Sequence, residues 1–218
     1  MTAPLSPLIH LIDDDEAVLD SLRFMLESCD ERQLFSFSDG ERFLAEVDLH
    51  QPACLILDCR MPGLSGPEVQ QRLKAAQSPI AILFLTGHGE VPLAVESLKQ
   101  GAVDFLQKPV QLAPLLAAIA RAEQATLAAA ARLVRPGGRL VYATCSILPE
   151  ENEAIAEAFS AAHPDFELLD AGELLAQLKV EGAQGLCSGG ASGSGYLRLW
   201  PHVHQTDGFF AAVWTRKR

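Results

Sequence analysis

The chain has 218 residues, 49% of them hydrophobic and 21% charged, which is typical of a globular protein with a buried core. Its formal net charge is −11, and neither the first 122 residues (net −8) nor the remainder (net −3) is basic, which argues against strong DNA binding. No apolar run reaches the roughly 18 residues of a membrane span, so we expect no membrane contact. We see no export signal before the first apolar run, and the five cysteines form no CxxC pair. We therefore expect a cytoplasmic protein.

Short apolar runs alternate with segments of helical period over the first 110 residues. Several runs are apolar on both faces, as strands inside a parallel sheet are. Five strands alternating with helices predict a doubly wound α/β fold, here of the flavodoxin-like order 2-1-3-4-5. The predicted strands are 8–12, 34–37, 54–57, 80–85 and 102–106, and the predicted helices are 16–28, 39–48, 65–76 and 90–100.

Three polar residues predict where helices begin. Ser38 and Ser65 each precede a glutamate by three residues, which is the spacing of a capping box. Asp15 lies directly before a segment of helical period, so we expect it to cap that helix.

The second half of the chain continues the alternation after an alanine-rich helix at 111–134. We expect this helix to break or kink near 121–123, because straight and unbroken it would be about twice as long as the return path along a strand requires. We place the domain boundary there, between 1–121 and 122–218. Later predictions are strands at 139–144, 166–169 and 208–215, helices at 150–162 and 172–179, and a flexible Gly/Ser loop at 182–195.

Two arrangements of the second half are open. Its strands can extend the first sheet, with the final strand inserted antiparallel, or the two halves can form two loosely joined lobes.

Polar side chains stand at the ends of four predicted strands. Asp13 and Asp14 follow the first strand, Asp58 ends the third, Thr86 ends the fourth, and Lys108 follows the fifth. The carboxyl ends of parallel strands meet at one edge of a sheet, so these groups should converge. Clustered carboxylates favour a cation, and hard oxygen ligands suit Mg²⁺. One carboxylate can then act as a nucleophile on phosphorus.

Residues 5 to about 121 resemble a response-regulator receiver domain of the FixJ-like type. The resemblance lies in LIDDDEAV, LILDCRMPGLSG, FLTGHGEVPLAVESLKQGAVDF and QKP. It implies a phosphorelay module that takes a phosphoryl group from a sensor histidine kinase, and a cis peptide before Pro109. The resemblance implies that Asp58 is the phospho-acceptor and that Lys108 is its salt-bridge partner. It implies a metal site formed by Asp13, Asp14, Asp58 and the backbone carbonyl of Arg60. It also implies that Thr86 is the hydroxyl switch and Phe105 the aromatic switch.

Residues 123–218 resemble the carboxyl-terminal part of an RNA cytosine-5 methyltransferase of the Sun/Fmu type. The resemblance lies in LVRPGGRLVYATCSILPEENE, HPDFELL and YLRLWPHVHQTDGFFAAVW. It implies that Cys145 corresponds to the nucleophile that attacks cytosine, with S-adenosylmethionine as methyl donor. The family's glycine-rich cofactor loop, its second cysteine and its RNA-binding region have no counterpart in this sequence. We therefore expect Cys145 to be structural or vestigial.

Three hypotheses follow from the sequence. The first is a phosphorylatable receiver whose only chemistry is its own phosphorylation. The second is an RNA methyltransferase that uses Cys145 and binds S-adenosylmethionine and RNA. The third is a chimeric α/β scaffold, natural or engineered, in which neither site is used.

Overall fold

The computed structural model describes residues 8–28, 33–87, 91–189 and 195–218. The chain divides into two units, the first ending at Thr126 and the second beginning at Leu127. Within the described residues, each unit builds one sheet of five strands.

The first unit is a parallel sheet with helices on both faces. Its strands pair in the order second, first, third, fourth, fifth, and every neighbouring pair is parallel, so the predicted flavodoxin-like topology is confirmed. The strands are β1 (Leu8–Ile12), β2 (Gln33–Phe37), β3 (Cys54–Asp58), β4 (Ala81–Thr86) and β5 (Asp104–Gln107), and the helices are α1 (Glu16–Glu27), α2 (Gly40–Glu46), α3 (Gly66–Ala75), α4 (Val91–Lys99) and α5 (Leu112–Leu133).

Apolar side chains of the central strands fill both sides of this sheet. Every residue of β3 and β4 is buried, as continuous apolar runs predict for the middle of a parallel sheet. On one face, Ile56 and Leu83 pack with side chains of α1 and α5. On the other face, Leu57 and Phe84 pack with side chains of α2 and α3. The two layers hold the carboxyl ends of the strands in place.

Two of the three predicted helix starts are confirmed. The Asp15 carboxylate accepts a hydrogen bond from the Ala17 backbone N–H at 2.9 Å. The Glu68 carboxylate accepts from the Ser65 backbone N–H at 2.9 Å, which completes a capping box. At α2 the prediction of Ser38 is wrong, because Asp39 is the cap and accepts from the backbone N–H three residues further on. A carboxylate there satisfies the same N–H that a serine hydroxyl would.

Helix α5 runs without the break predicted near 121–123. It is one helix from Leu112 to Leu133, and the division between the two units falls within it. Alanine has the highest helix propensity, so nothing in the alanine-rich segment interrupts the backbone hydrogen bonds.

The second unit has an antiparallel sheet built around its last strand. Strand β10 pairs along one side with β6, and along the other side with β9 near its start and β7 near its end, always antiparallel. Its Trp214 and Phe210 side chains are fully buried. The strands are β6 (Arg139–Thr144), β7 (Phe166–Leu169), β8 (Cys187–Gly189), β9 (Gly195–Leu199) and β10 (Phe209–Arg216), and the helices are α6 (Glu153–Ala162), α7 (Ala171–Gln177) and the short α8 (Pro201–His204).

The antiparallel final strand is confirmed, and of the two arrangements left open by the sequence, extension of the first sheet is the wrong one. Strands β6 to β10 form a separate sheet, in which β6 pairs with β10. The reason is the length of α5, whose 22 residues span about 33 Å, roughly twice the length of the strand that a crossover helix has to follow.

The predicted Gly/Ser loop at 182–195 is shorter than expected. Residues Ala183–Leu186 form a turn of 3₁₀ helix and Cys187–Gly189 form β8, while 190–194 lie outside the described residues. Pairing of β8 with β9 satisfies backbone groups that composition alone assigns to a loop.

In the part of the chain that the structure describes, no helix is long and apolar enough to cross a membrane.

Candidate functional site: an acidic cluster at the strand ends

Two strands bring the three predicted carboxylates together. Asp58 is the last residue of β3, and Asp13 and Asp14 directly follow β1, which is its parallel neighbour. Carboxylate oxygens of the three residues lie within 4.8 Å of one another. Asp13 and Asp58 are buried, whereas Asp14 is exposed. Two of the three carboxylates are therefore shielded from solvent, and the third is accessible to it.

Lys108 joins the two buried carboxylates. Its Nζ atom lies 2.7 Å from Oδ2 of Asp13 and 2.6 Å from Oδ1 of Asp58. The residue follows β5 and precedes the peptide bond to Pro109, which is cis as expected. Its backbone N–H donates to the Thr86 carbonyl at 2.8 Å, which fixes the start of this turn on β4. Lys108 thus supplies the charge that lets two carboxylates share a buried place.

Burial and charge perturb both partners of this pair. Burial raises the pKa of Asp58, and so does the Asp13 charge, while the hydrogen bond and charge of Lys108 oppose the shift. Burial by itself lowers the pKa of Lys108, but hydrogen bonds and charges from Asp13 and Asp58 outweigh it and raise that pKa. Lys108 is therefore a permanent cation at neutral pH.

The backbone after β3 holds the Asp58 side chain in one orientation. The Arg60 N–H donates to Oδ2 of Asp58 at 2.9 Å, which leaves Oδ1 to Lys108. On the other side of the cluster, the Asp15 N–H donates to Oδ1 of Asp13 at 3.0 Å. Each buried carboxylate is thus oriented by one backbone donor and by the same lysine.

Thr86 lies on β4, the strand next to that of Asp58, and Phe105 lies on β5, one strand further along the sheet. Asp58 pairs in register with Leu85, so Thr86 is one step further along β4. Its side chain is fully buried, and its hydroxyl donates to the Leu106 carbonyl at 3.4 Å. Phe105 is partly buried and pairs in register with Phe84. The threonine predicted as a switch is therefore hydrogen-bonded to the strand that carries the predicted aromatic switch.

Gly66 contributes to the site although the sequence reasoning did not single it out. A Cβ atom on Gly66 would lie 2.2 Å from the Asp58 carbonyl oxygen and 2.9 Å from the Phe84 ring, both too close. Its N–H donates to the Cys59 carbonyl at 3.2 Å. Glycine is thus required for α3 to start directly against the end of β3. The sequence feature that could have indicated this close contact is a glycine directly after the capping residue Ser65.

Cys145 lies in the second unit, in a loop held by a buried polar network. It follows β6 and is partly buried. The Asn152 side chain donates to the Ser146 carbonyl at 2.8 Å and accepts a hydrogen bond from the Thr144 hydroxyl. The Arg198 guanidinium donates to the Ile147 carbonyl at 3.0 Å. The position of Cys145 at a strand end is confirmed. The sequence analysis did not predict that Asn152 and Arg198 bond to the loop that carries Cys145.

Arg198 is a buried cation between a carboxylate and an aromatic ring. It is 3% exposed, with its Nη2 atom 3.7 Å from Oε2 of Glu153. Its Cζ atom lies 4.3 Å from the centre of the Trp200 ring. A buried arginine needs such compensation, and the pair fastens β9 to the start of α6.

Comparison with protein families gives two matches. The response regulator receiver domain matches residues 9–120, which include every residue of the acidic cluster. The 16S rRNA methyltransferase RsmB/F family matches residues 99–215, which include Cys145. The two matches overlap over β5 and the first part of α5.

Individual relatives match the first unit. The tetrathionate response regulatory protein TtrR of Salmonella typhimurium is 49% identical over 124 residues, which are 57% of this chain and 60% of that protein. The transcriptional regulatory protein FixJ of Bradyrhizobium diazoefficiens is 50% identical over 103 residues, 47% of this chain and 50% of that protein. The chain thus spans about half to three fifths of these relatives.

A solved structure agrees with these matches. Full-length FixJ from B. japonicum superposes with a TM-score of 0.50 at 42% identity, covering 61% of this chain and 71% of that one. Matches of this extent show family membership: the chain belongs to the response regulator receiver family over residues 9–120 and to the RsmB/F methyltransferase family over residues 99–215.

Proposed function

We propose that the chain is a phospho-accepting receiver module whose acceptor is Asp58 and whose phosphodonor is a sensor histidine kinase. The observation that carries the proposal is the position of Lys108 Nζ, within 2.7 Å of both buried carboxylates. Lys108 neutralises one of three clustered carboxylates, so a net charge of about −2 remains for a cation and a phosphoryl group to compensate.

The cluster fits a magnesium ion. Carboxylates are the hard oxygen ligands that Mg²⁺ prefers, and three of them offer oxygens within 4.8 Å of one another. Asp13, Asp14 and Asp58 would hold the ion, together with the backbone carbonyl of Arg60. Bound there, Mg²⁺ would compensate negative charge on the phosphoryl oxygens.

Asp58 would act as the nucleophile. One of its carboxylate oxygens forms a bond to phosphorus, the bond from phosphorus to the donor's imidazole nitrogen breaks, and an aspartyl phosphate results. The Arg60 N–H and Lys108 orient the carboxylate, and their hydrogen bonds oppose the burial that raises its pKa. Lys108 also supplies a positive charge beside the incoming phosphoryl oxygens.

Thr86 and Phe105 would pass the change to the surface. The Thr86 hydroxyl now donates to the Leu106 carbonyl over 3.4 Å, which is a long hydrogen bond. A phosphoryl oxygen on Asp58 would be a stronger, charged acceptor for the same hydroxyl. Rotation of Thr86 towards it would remove a contact with β5, the strand that carries Phe105.

The test is intact-mass analysis after incubation with acetyl phosphate and Mg²⁺. The parent chain should gain one phosphoryl group, Asp58→Asn should gain none, and Asp20→Asn, at an exposed position on α1, should behave as the parent. Chelation of the metal should abolish the gain. An unmodified parent shown to be folded by circular dichroism, or equal gains in the parent and Asp58→Asn, would refute the assignment.

RNA methylation through Cys145 is the second candidate function. The match of 99–215 to the RsmB/F family and the fixed loop that presents Cys145 at a strand end favour it. It ranks second because no glycine-rich cofactor motif occurs in the 218 residues. Calorimetric titration with S-adenosylmethionine separates the two: saturable binding supports methyl transfer, and its absence removes this candidate. That this chain does not bind DNA stays a prediction from its charge.

A further inference from the structure

One end of the second sheet carries most of the positive charge of the second unit. Six of the eight basic side chains of residues 127–218 lie in two short segments, 132–139 and 216–218. Strand pairing brings these segments together, because Arg139 of β6 pairs in register with Thr215 of β10. We call these six residues the basic end: Arg132, Arg135, Arg139, Arg216, Lys217 and Arg218.

Hydrogen bonds hold the two segments against each other. The Gly137 N–H donates to the Arg216 carbonyl at 2.8 Å, and the Arg216 N–H donates to the Gly138 carbonyl at 2.9 Å. The Arg216 side chain adds a bond from Nη1 to the Val134 carbonyl at 2.7 Å. The positive charges are therefore carried by an ordered turn and strand end, which hold them close together.

Few negative charges oppose the basic end. The acidic side chains of the adjacent segment 163–167 are Asp165 and Glu167. Asp165 lies 3.2 Å from Nε of Arg216 and pairs with it, and Glu167 is exposed on β7, where it pairs in register with Thr215. The five basic side chains other than Arg216 are exposed. With six positive and two negative side chains, this end has a local formal charge of +4 on a chain whose net charge is −11.

Exposed apolar side chains accompany these charges. Leu133 follows Arg132 in the last turn of α5 and is 82% exposed. Val141 is 57% exposed, and it lies two residues after Arg139, so both project from the same face of β6. Cationic side chains beside exposed apolar ones suit a membrane surface, where the charges meet anionic head groups and the apolar groups meet the start of the acyl chains.

A nucleic acid fits this end less well. Proteins that hold single strands add aromatic rings on which the bases stack. In segments 132–141, 163–167 and 215–218 the rings are those of Phe166, which is buried, and His163, which is stacked on Phe159 at 4.2 Å. The basic end also lies at the start of β6, about 17 Å along the strand from the end that carries Cys145, so it does not belong to that loop.

We propose that the basic end binds the surface of an anionic lipid membrane, with Leu133 inserted among the head groups. Peripheral binding requires no apolar span, so the lack of a span, on which we based the expectation of no membrane contact, does not bear on it. Each arginine or lysine near an anionic surface should strengthen binding about fivefold. The proposal goes beyond the receiver function and does not depend on Asp58.

Co-sedimentation of the full chain with lipid vesicles tests the proposal. The chain should bind phosphatidylcholine vesicles that contain about 30% phosphatidylglycerol, should not bind pure phosphatidylcholine, and should lose binding between about 0.05 and 0.5 M NaCl. Arg132→Gln combined with Arg135→Gln should weaken binding about 25-fold. Arg23→Gln combined with Arg72→Gln removes two exposed arginines of the first unit, so it has the same net charge and should bind as the parent does.

A second pair of variants tests the apolar contact. Leu133→Gln should weaken vesicle binding about tenfold, because the leucine side chain leaves water when the chain binds. Val203→Gln, at a position in α8 that is 61% exposed, should bind as the parent does. Tryptophan fluorescence during urea unfolding shows whether the second unit of each variant is folded, since Trp200 and Trp214 both lie in it.

Failure of the folded parent to bind anionic vesicles at low salt would overturn the proposal. Equal binding to neutral vesicles would do the same, as would equal losses in the two arginine pairs or unchanged binding in Leu133→Gln. Fluorescence anisotropy with a labelled oligouridylate of about 20 nucleotides covers the competing partner. Binding of that RNA by a chain that does not bind vesicles would assign the basic end to a nucleic acid.

Discussion

Acidification should destabilise the first unit through His10, a buried histidine that has no polar partner in the described part of the chain. The side chain is 3% exposed, and its ring centre lies 5.4 to 5.9 Å from those of Phe35, Phe37 and Phe43. Neither ring nitrogen has a hydrogen-bond partner among the described residues. Burial lowers the pKa of His10 from 6.5 to about 4, because the charged imidazolium would lose its hydration there.

The sign and size of the effect follow from this shift. Between pH 6.5 and about 4 the unfolded chain takes up a proton at His10 that the folded unit does not. Above pH 6.5 His10 is neutral in both states and does not lower the free energy of unfolding. As the pH falls from 6.5 towards 4, the free energy of unfolding decreases, because only the unfolded chain gains the proton. Each pH unit within that window costs about 1.4 kcal/mol, so lowering the pH from 7.5 to 5 should cost about 2 kcal/mol. That is a large part of the roughly 5–15 kcal/mol that stabilises a typical domain.

Urea unfolding at both pH values, followed by far-ultraviolet circular dichroism, measures this loss. Both tryptophans, Trp200 and Trp214, lie in the second unit, so their fluorescence reports that unit separately. His10→Leu should lose about 2 kcal/mol less than the parent between pH 7.5 and 5. His50→Leu, at an exposed position, should lose as much as the parent.

The comparison between parent and variant isolates His10 from the other titrating groups. The raised pKa of Asp58 acts in the opposite direction, because acid neutralises a buried carboxylate and so stabilises the folded unit. This contribution is common to parent and variant and cancels in their difference. Equal losses in the parent and His10→Leu would refute the reasoning, since they would mean that the imidazole is hydrated or hydrogen-bonded when folded.

Two further substitutions test close packing and a buried ion pair. Gly66→Ala should cost about 1–3 kcal/mol and reduce phosphorylation, because its Cβ would lie 2.2 Å from the Asp58 carbonyl oxygen. Gly185→Ala, where a Cβ meets nothing within 4 Å, is the control, and equal urea midpoints for the two would contradict this. Arg198→Met should cost the second unit about 2 kcal/mol, seen by tryptophan fluorescence, because it removes a charged donor and leaves Glu153 without its partner. An unchanged midpoint would mean that Arg198 is not a structural cation.

The acidic cluster was predictable because it depends on local features. Asp58 and Thr86 end strands whose apolar runs are unmistakable, and the strand order of a doubly wound sheet then brings the strand ends together. The position of Lys108 between two carboxylates follows from the same topology. The pattern of strands does not predict which side chains form contacts between helices. The hydrogen bond from the Gln70 side chain to the Ser97 carbonyl depends on how α3 packs on α4, and a glutamine in a helix carries no sign of such a partner.

The second unit shows the limit of pattern reasoning more sharply. The runs at 139–144 and 166–169 predict strands, and the structure has strands there, but a run does not name its partner. Strand β10 pairs with three other strands, and only its register decides which residue faces Trp214 or Phe210. His202 and His204 lie in a four-residue helix, where Nδ1 of His204 accepts a hydrogen bond from the Trp200 N–H at 2.8 Å, a bond that the strand pattern does not predict.

Long-range hydrogen bonds also decide what the loop around Cys145 can do. Its shape depends on Asn152, which follows the loop directly in the chain. It also depends on Arg198 of β9, which bonds to the Ile147 carbonyl across a separation of 51 residues. A rigid loop would serve a nucleophile by holding it in place, and it would equally serve a structural cysteine by closing the end of the sheet. The geometry of the loop is therefore compatible with both roles. Cofactor binding is the property in which the two roles differ, which is why the titration with S-adenosylmethionine, and not the shape of the loop, decides between them.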